Sequence, residues 1–223
     1  MTERAFNKGE GLKSMVYGGL DGAITTFAVV AGATGGELDM RVIIILGFAN
    51  LLADGISMAV GDYLSSKSEK EYDENNRKKQ QALSSSPQGL AQVYQDNGMQ
   101  AEDAQKVADI LSKYDQDTQD ELIGFNSEPE SHPLYNALIT FFSFAIFGLV
   151  PLLVFIASYF NPGLIPYAFP VSITLTFVTL FILGTVKAFV TDGHVVKSGM
   201  EMLIIGGLAA VAAYGIGFFL GGI

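Results

Sequence analysis

The chain has 223 residues, 49% of them hydrophobic and only 16% charged, with a formal net charge of -10 and no cysteine. Zero cysteines excludes disulfides, thiolate metal sites and redox pairs, and the acidic balance gives no reason to expect a nucleic-acid partner. A mean hydropathy of +0.35 beside that charge requires apolar and charged residues to be segregated along the chain.

Five apolar stretches satisfy the requirement, at about 12 to 34, 42 to 64, 134 to 159, 167 to 190 and 200 to 222. Each is close to the roughly 20 helical residues that cross a hydrocarbon core. The predicted fold is therefore an all-α integral membrane protein with the lipid bilayer as its first partner. Its five transmembrane helices carry a cytoplasmic helical insertion between the second and third. Residues 1-64 form the first two membrane helices, 65-133 an acidic helical domain, and 134-223 helices three to five.

In the first stretch Asp21 interrupts an apolar, glycine-rich run from Met15 to Ala33. An ionisable group at membrane depth costs a few kcal/mol even on lenient insertion scales, so it faces a protein interior or a water-filled path. The second stretch repeats the anomaly with Asp54 and Asp62. Asn50, Asp54, Met58 and Asp62 stand at i, i+4, i+8 and i+12, which aligns three oxygen-bearing side chains and one thioether along a single stripe. Carboxylates exchange protons for divalent cations, and a thioether favours transition metals over Mg2+ and Ca2+. Asp54 and Asp62 fit equally well as braces between helices.

The segment from Ser65 to Pro133 holds 14 acidic and 7 basic residues, so -7 of the net -10 lies there. Ser65 to Gln81 should prolong the second span as a polar helix. Ser86-Pro87 reads as a helix start and Asn97-Gly98 as its stop, with Leu90, Val93 and Tyr94 on one face. Ala104, Val107, Ala108 and Leu111 give a second amphipathic helix that packs on the first, and a third short helix is expected over Thr118 to Phe125. Asp115-x-Asp117-x-Gln119 imitates the start of a calcium loop, but Asp120 stands where the turn needs glycine and Asn126 where a bidentate glutamate belongs.

Between the third and fourth stretches Asn161-Pro162-Gly163 and Pro166 predict a tight turn. In the fifth, Gly206, Ala210, Ala213 and Gly217 are small residues at one-turn spacing that let helices approach. Ser172, Thr176 and Thr179 should bond to helix carbonyls or across helices, and Glu201 should pair with Lys187 or Lys197. Two histidines far apart, His132 and His194, do not make a zinc site.

Lysine and arginine set the orientation. Arg4, Lys8 and Lys13 precede the first span, seven basic residues fill the long connection, and Lys187 and Lys197 border the last; only Arg41 falls on the other side. The N-terminus and the acidic connection are thus expected in the cytoplasm and the C-terminus outside. No cleavable signal or targeting extension is recognised, which favours a bacterial or archaeal plasma membrane over an organelle.

Gly18-Gly19-Leu20-Asp21-Gly22 with Thr25-Thr26-Phe27-Ala28, and Ala53-Asp54-Gly55-Ile56-Ser57-Met58-Ala59-Val60-Gly61-Asp62-Tyr63-Leu64-Ser65, resemble the first two membrane helices of the vacuolar iron transporter family. Gly148-Leu149-Val150-Pro151, Gly184-Thr185-Val186-Lys187, Glu201-Met202-Leu203 and Gly206-Gly207 are similar to that family's later helices. The resemblance implies a five-helix homodimer, with no resident cofactor and no enzymatic activity. It would move Fe2+, and often Mn2+, out of the cytoplasm in exchange for protons. It assigns Asp21 and Met58 of both subunits to the metal path and implies glutamate ligands in the cytoplasmic domain.

There the sequence departs from the family pattern: Asp115 to Phe125 has no methionine, and Asn75-Asn76-Arg77-Lys78-Lys79 replaces further acids. Glu71, Asp73, Glu74 and Glu121 remain as candidate ligands in that domain. A membrane-embedded hydrolase would need a nucleophile beside a base, which no segment offers. A passive divalent-cation channel is the alternative that the intramembrane aspartates leave open.

Overall fold

The computed structural model describes residues 3-84, 86-115, 118-119, 132-191 and 193-221, without the side chains of 3-10, 80-84 and 190. Every regular element among them is helical: α1 (Glu3–Gly35), α2 (Met40–Ser84), α3 (Pro87–Asp96), α4 (Ala101–Leu111), α5 (Pro133–Phe160), a 3-10 turn (Pro162–Tyr167), α6 (Ala168–Val190) and α7 (Val195–Gly221). Five of the helical stretches are long and apolar enough to cross a membrane: Gly11–Gly35, Met40–Lys79, Pro133–Phe160, Pro162–Phe189 and Val195–Gly221.

By contacts the chain divides into two compact units, Met1–Leu64 with His132–Ile223, and Ser65–Ser131. In the first, α1 is the central helix and packs on α5, α6 and α7. Lipid tails are as apolar as the side chains that face them, so association relies on close packing more than on hydrophobic burial. Glycines supply the closeness. A Cβ on Gly18 would lie 2.6 Å from the Thr140 carbonyl oxygen, one on Gly148 would lie 2.8 Å from that of Gly22, and one on Gly22 would collide with the Phe144 carbonyl. At the far end of α1, Gly35 abuts the backbone of Tyr214, and Gly217 abuts that of Gly32.

The apolar core between these contacts holds Val30, Ile43, Leu51, Phe144, Leu152 and Phe155, with a second cluster at Ala23, Leu180 and Met202. Phe27 is buried against the rings of Phe169 and Phe177. α2 rests on α5 through Gly47 against Leu152 and through Gly55 against Phe141 and Phe144.

The connections follow local chemistry. The turn after α1 places Glu37 at φ 55, in the left-handed region, and Asp39 starts α2 by accepting from the Arg41 amide at 2.8 Å. Asn161 caps the 3-10 turn by accepting from the Gly163 amide at 3.2 Å, where a tight turn was predicted. Ser172 donates to the Pro151 carbonyl of α5, whereas Thr176 and Thr179 bond carbonyls of their own helix. Lys187 and Glu201 pair at 3.6 Å between α6 and α7. α7 begins at Val195, five residues before the predicted start, because the polar residues Lys197 to Glu201 are helical too.

In the inserted unit Ser86 caps α3 by accepting from the Gly89 amide at 3.1 Å, and Gly98 at φ 95 ends it, with the Met99 amide returning to the Tyr94 carbonyl. Leu90 and Ala91 of α3 pack on Ala104, Ala108 and Leu111 of α4. Val93 is buried as predicted, while Tyr94 and Val107 sit at the edge of that cluster. Of the helix expected over Thr118 to Phe125, Thr118 and Gln119 are helical and the remainder, with the candidate ligand Glu121, lies outside the described residues.

Candidate functional site

Asp21 stands in the middle of α1 on a turn bounded by Gly18, Gly19 and Gly22, all buried against α5. Its side chain is half-buried. Among the described residues no lysine, arginine or histidine pairs with it, and no group donates a hydrogen bond to its carboxylate. One turn along, Thr25 donates to the Asp21 backbone carbonyl at 2.8 Å, and Asn50 of α2 reaches the Thr25 hydroxyl at 3.5 Å. The polar stripe of α2 therefore faces the polar turn of α1. Asp54 of α2 stands on the helix stripe that faces this turn, one turn beyond Asn50.

Asp62 is placed differently. Its Oδ2 accepts from Ser14 of α1 at 3.0 Å and from Thr140 of α5 at 2.5 Å, so this carboxylate joins three helices. Ser143 of α5 adds a bond to the Met15 carbonyl. Met58, between the two aspartates on the stripe, packs partly buried against the apolar core.

Ser14, Thr140 and Ser143 were not singled out from the sequence. A signal was present: Asn136, Thr140 and Ser143 recur at i, i+4 and i+7 in an otherwise apolar span, and all three are buried. Their partners lie 48 to 128 residues away in sequence, which a period cannot reveal.

In the inserted unit Glu71 and Asp73 are exposed and Glu74 is partly buried, with Glu71 facing Lys67 at 3.8 Å. Glu102 and Asp103 flank Lys106 at 2.8 and 3.5 Å. Asp115 accepts from the Thr118 amide at 2.8 Å, which holds its carboxyl below the usual range and occupies it as a helix cap. Among the described residues no three acidic or histidine side chains converge as a metal site within one chain.

A five-span helical protein with carboxylates, an amide and a thioether on facing stripes of its apolar helices has the make-up of a membrane transport protein for cations. The sequence model of the VIT family matches residues 12-218, and the chain belongs to that family, whose members are transporters and not enzymes. It is 34% identical to the vacuolar iron transporter of Toxoplasma gondii over 94% of this chain and 74% of the relative. It is 29% identical to that of Plasmodium falciparum over 95% and 82%, and 30% identical to vacuolar iron transporter 1 of Eucalyptus grandis over 96% and 88%.

These relatives correct one expectation. They are eukaryotic proteins named for the vacuole, an intracellular organelle, which overturns the expectation of a bacterial or archaeal plasma membrane. That expectation rested on recognising no targeting signal, and the information that directs a multispanning protein to its membrane is not confined to a cleavable N-terminal segment.

Proposed function

We propose that this chain exports Fe2+, Mn2+ or both from the cytoplasm by exchange with protons, working as a homodimer with Asp21 and Met58 of each subunit on the metal path. The observation that carries the reading is Asp21 itself: a half-buried carboxylate on a membrane-spanning helix, with no basic partner among the described residues, facing the polar stripe of α2 that holds Asp54. A carboxylate in a low dielectric without a basic partner favours a cation beside it, and either a divalent metal or a proton meets that need. That alternation is what an exchanger requires. The iron preference is supported by the relatives' names and by the soft donor of Met58.

The homodimer is supported by α2, whose Ala49, Ala53, Ser57 and Gly61 form an exposed stripe of small residues at one-turn spacing. A Cβ on Gly61 would meet nothing within 4 Å, so the stripe is open to a second copy. Asp54 and Asp62 stay in the site as proposed members, Asp54 by its place on the stripe of α2 that faces Asp21 and Asp62 as the brace that holds α1, α2 and α5 together. Glu71, Asp73, Glu74 and Glu121 are proposed as weak cytoplasmic ligands.

Transport in proteoliposomes, with Fe2+, Mn2+, Co2+ and Zn2+ in competition and an imposed pH gradient, tests the reading. Metal movement driven by the gradient and lost in Asp21→Asn is expected. Movement indifferent to the gradient would make the protein a channel.

A further inference from the structure

A groove opens on the membrane unit between the first turns of α2 and the last turn of α5. It encloses about 340 Å³. Ile44 and Phe48 of α2 and Ile156 and Phe160 of α5 form apolar walls, with Arg41 and Tyr159 beside them. Arg41 to Phe48 spans about 10 Å along the helix axis at 1.5 Å per residue, the length of the upper part of an acyl chain.

Arg41 is the single lysine or arginine between Lys13 and Lys67. Its guanidinium lies 5.9 Å from the Tyr159 ring centroid, and no carboxylate among the described residues pairs with it. The neighbouring acid, Asp39, is engaged with the Arg41 backbone amide. Arg41 opens a membrane-spanning helix and Tyr159 closes another, so both sit where arginine and tyrosine anchor at the headgroup level. A cation at that level above an apolar slot has the amphipathic pattern of a lipid, with phosphate at the mouth and hydrocarbon below.

We propose that this groove binds an anionic phospholipid, its phosphate on Arg41 and an acyl chain between α2 and α5. Charge complementarity selects that occupant: the guanidinium lacks an acid and a phosphodiester supplies one, as a fork that accepts two parallel hydrogen bonds. Inorganic phosphate would leave the apolar walls uncovered. A second copy of the chain is assigned to the stripe Ala49, Ala53, Ser57 and Gly61; Ile45 of the groove stands one turn before Ala49 at the edge of that stripe, whereas Arg41, Ile44 and Phe48 are rotated around the helix from it. The inference does not depend on which metal is transported.

The test is native mass spectrometry of the full chain in mild detergent, titrated with phosphatidylglycerol, phosphatidylcholine or inorganic phosphate. Wild type should retain phosphatidylglycerol in preference to phosphatidylcholine and should retain no phosphate. Arg41→Gln should weaken that retention about fivefold, the effect of one basic residue at a lipid surface, while Arg41→Lys restores part of it. Ile44→Trp, which fills the slot and keeps the charge, should weaken it independently. Equal retention of the two lipids, or retention indifferent to both Arg41→Gln and Ile44→Trp, would overturn the proposal.

Discussion

Replacing Asp21 by asparagine keeps the shape of the α1 turn and removes the charge, so it separates transport from folding. Transport should fall to background while the melting temperature holds, since the carboxylate makes no hydrogen bond or ion pair among the described residues. Asp62 should behave the other way. Asp62→Ala strands the hydroxyls of Ser14 and Thr140, each part of a buried contact, and should destabilise the protein by about 1 to 3 kcal/mol in a thermal melt. Met58→Leu keeps volume and apolar packing but deletes the soft donor. Competition of Mg2+ against Fe2+ should rise with little loss of stability; an unchanged competition profile would leave Met58 with packing alone.

Among elements, the crossing of α1 and α5 is the least forgiving. Gly22 has the Phe144 backbone against it and Gly18 that of Thr140, so neither neighbour can yield as a side chain would. Gly22→Val should prevent recovery of folded protein from membranes. Gly61→Ala is the contrasting substitution: with nothing within 4 Å, it should leave the melting of the protomer unchanged, and any effect should appear in the oligomeric state measured by cross-linking. The α3-α4 pair was readable in advance because its determinants are local. The Ser86 cap, the Gly98 stop and the apolar periods each lie within a few residues of the structure they specify.

At the scale of the whole molecule, the two units carry different chemistry. The acidic charge is concentrated in the insertion, yet among the described residues its glutamates are mostly exposed or paired with nearby lysines and do not converge within one chain. Changing Glu71 and Glu74 together to glutamine should therefore reduce transport less than Asp21→Asn does. Calorimetry on a soluble fragment covering Ser65 to Ser131 should give weak Fe2+ or Mn2+ binding. Tight stoichiometric binding that the double change abolishes would reverse that ranking and make the insertion the collector of metal for the membrane path.

By itself the sequence determined the five spans, the break at Asn161 to Pro166, the hairpin in the insertion and the suspect carboxylate at Asp21, because hydropathy, capping and helical period act over short distances. Only the tertiary structure decided what each aspartate contacts. Asp21 and Asp62 look alike as acids in apolar helices, yet Ser14 and Thr140 converge on one and nothing among the described residues donates to the other. That difference is set by where α5 crosses α1, at glycines whose partner surface lies more than a hundred residues further along the chain. A close approach of two backbones is a property of both helices at once, and no pattern within either one specifies it.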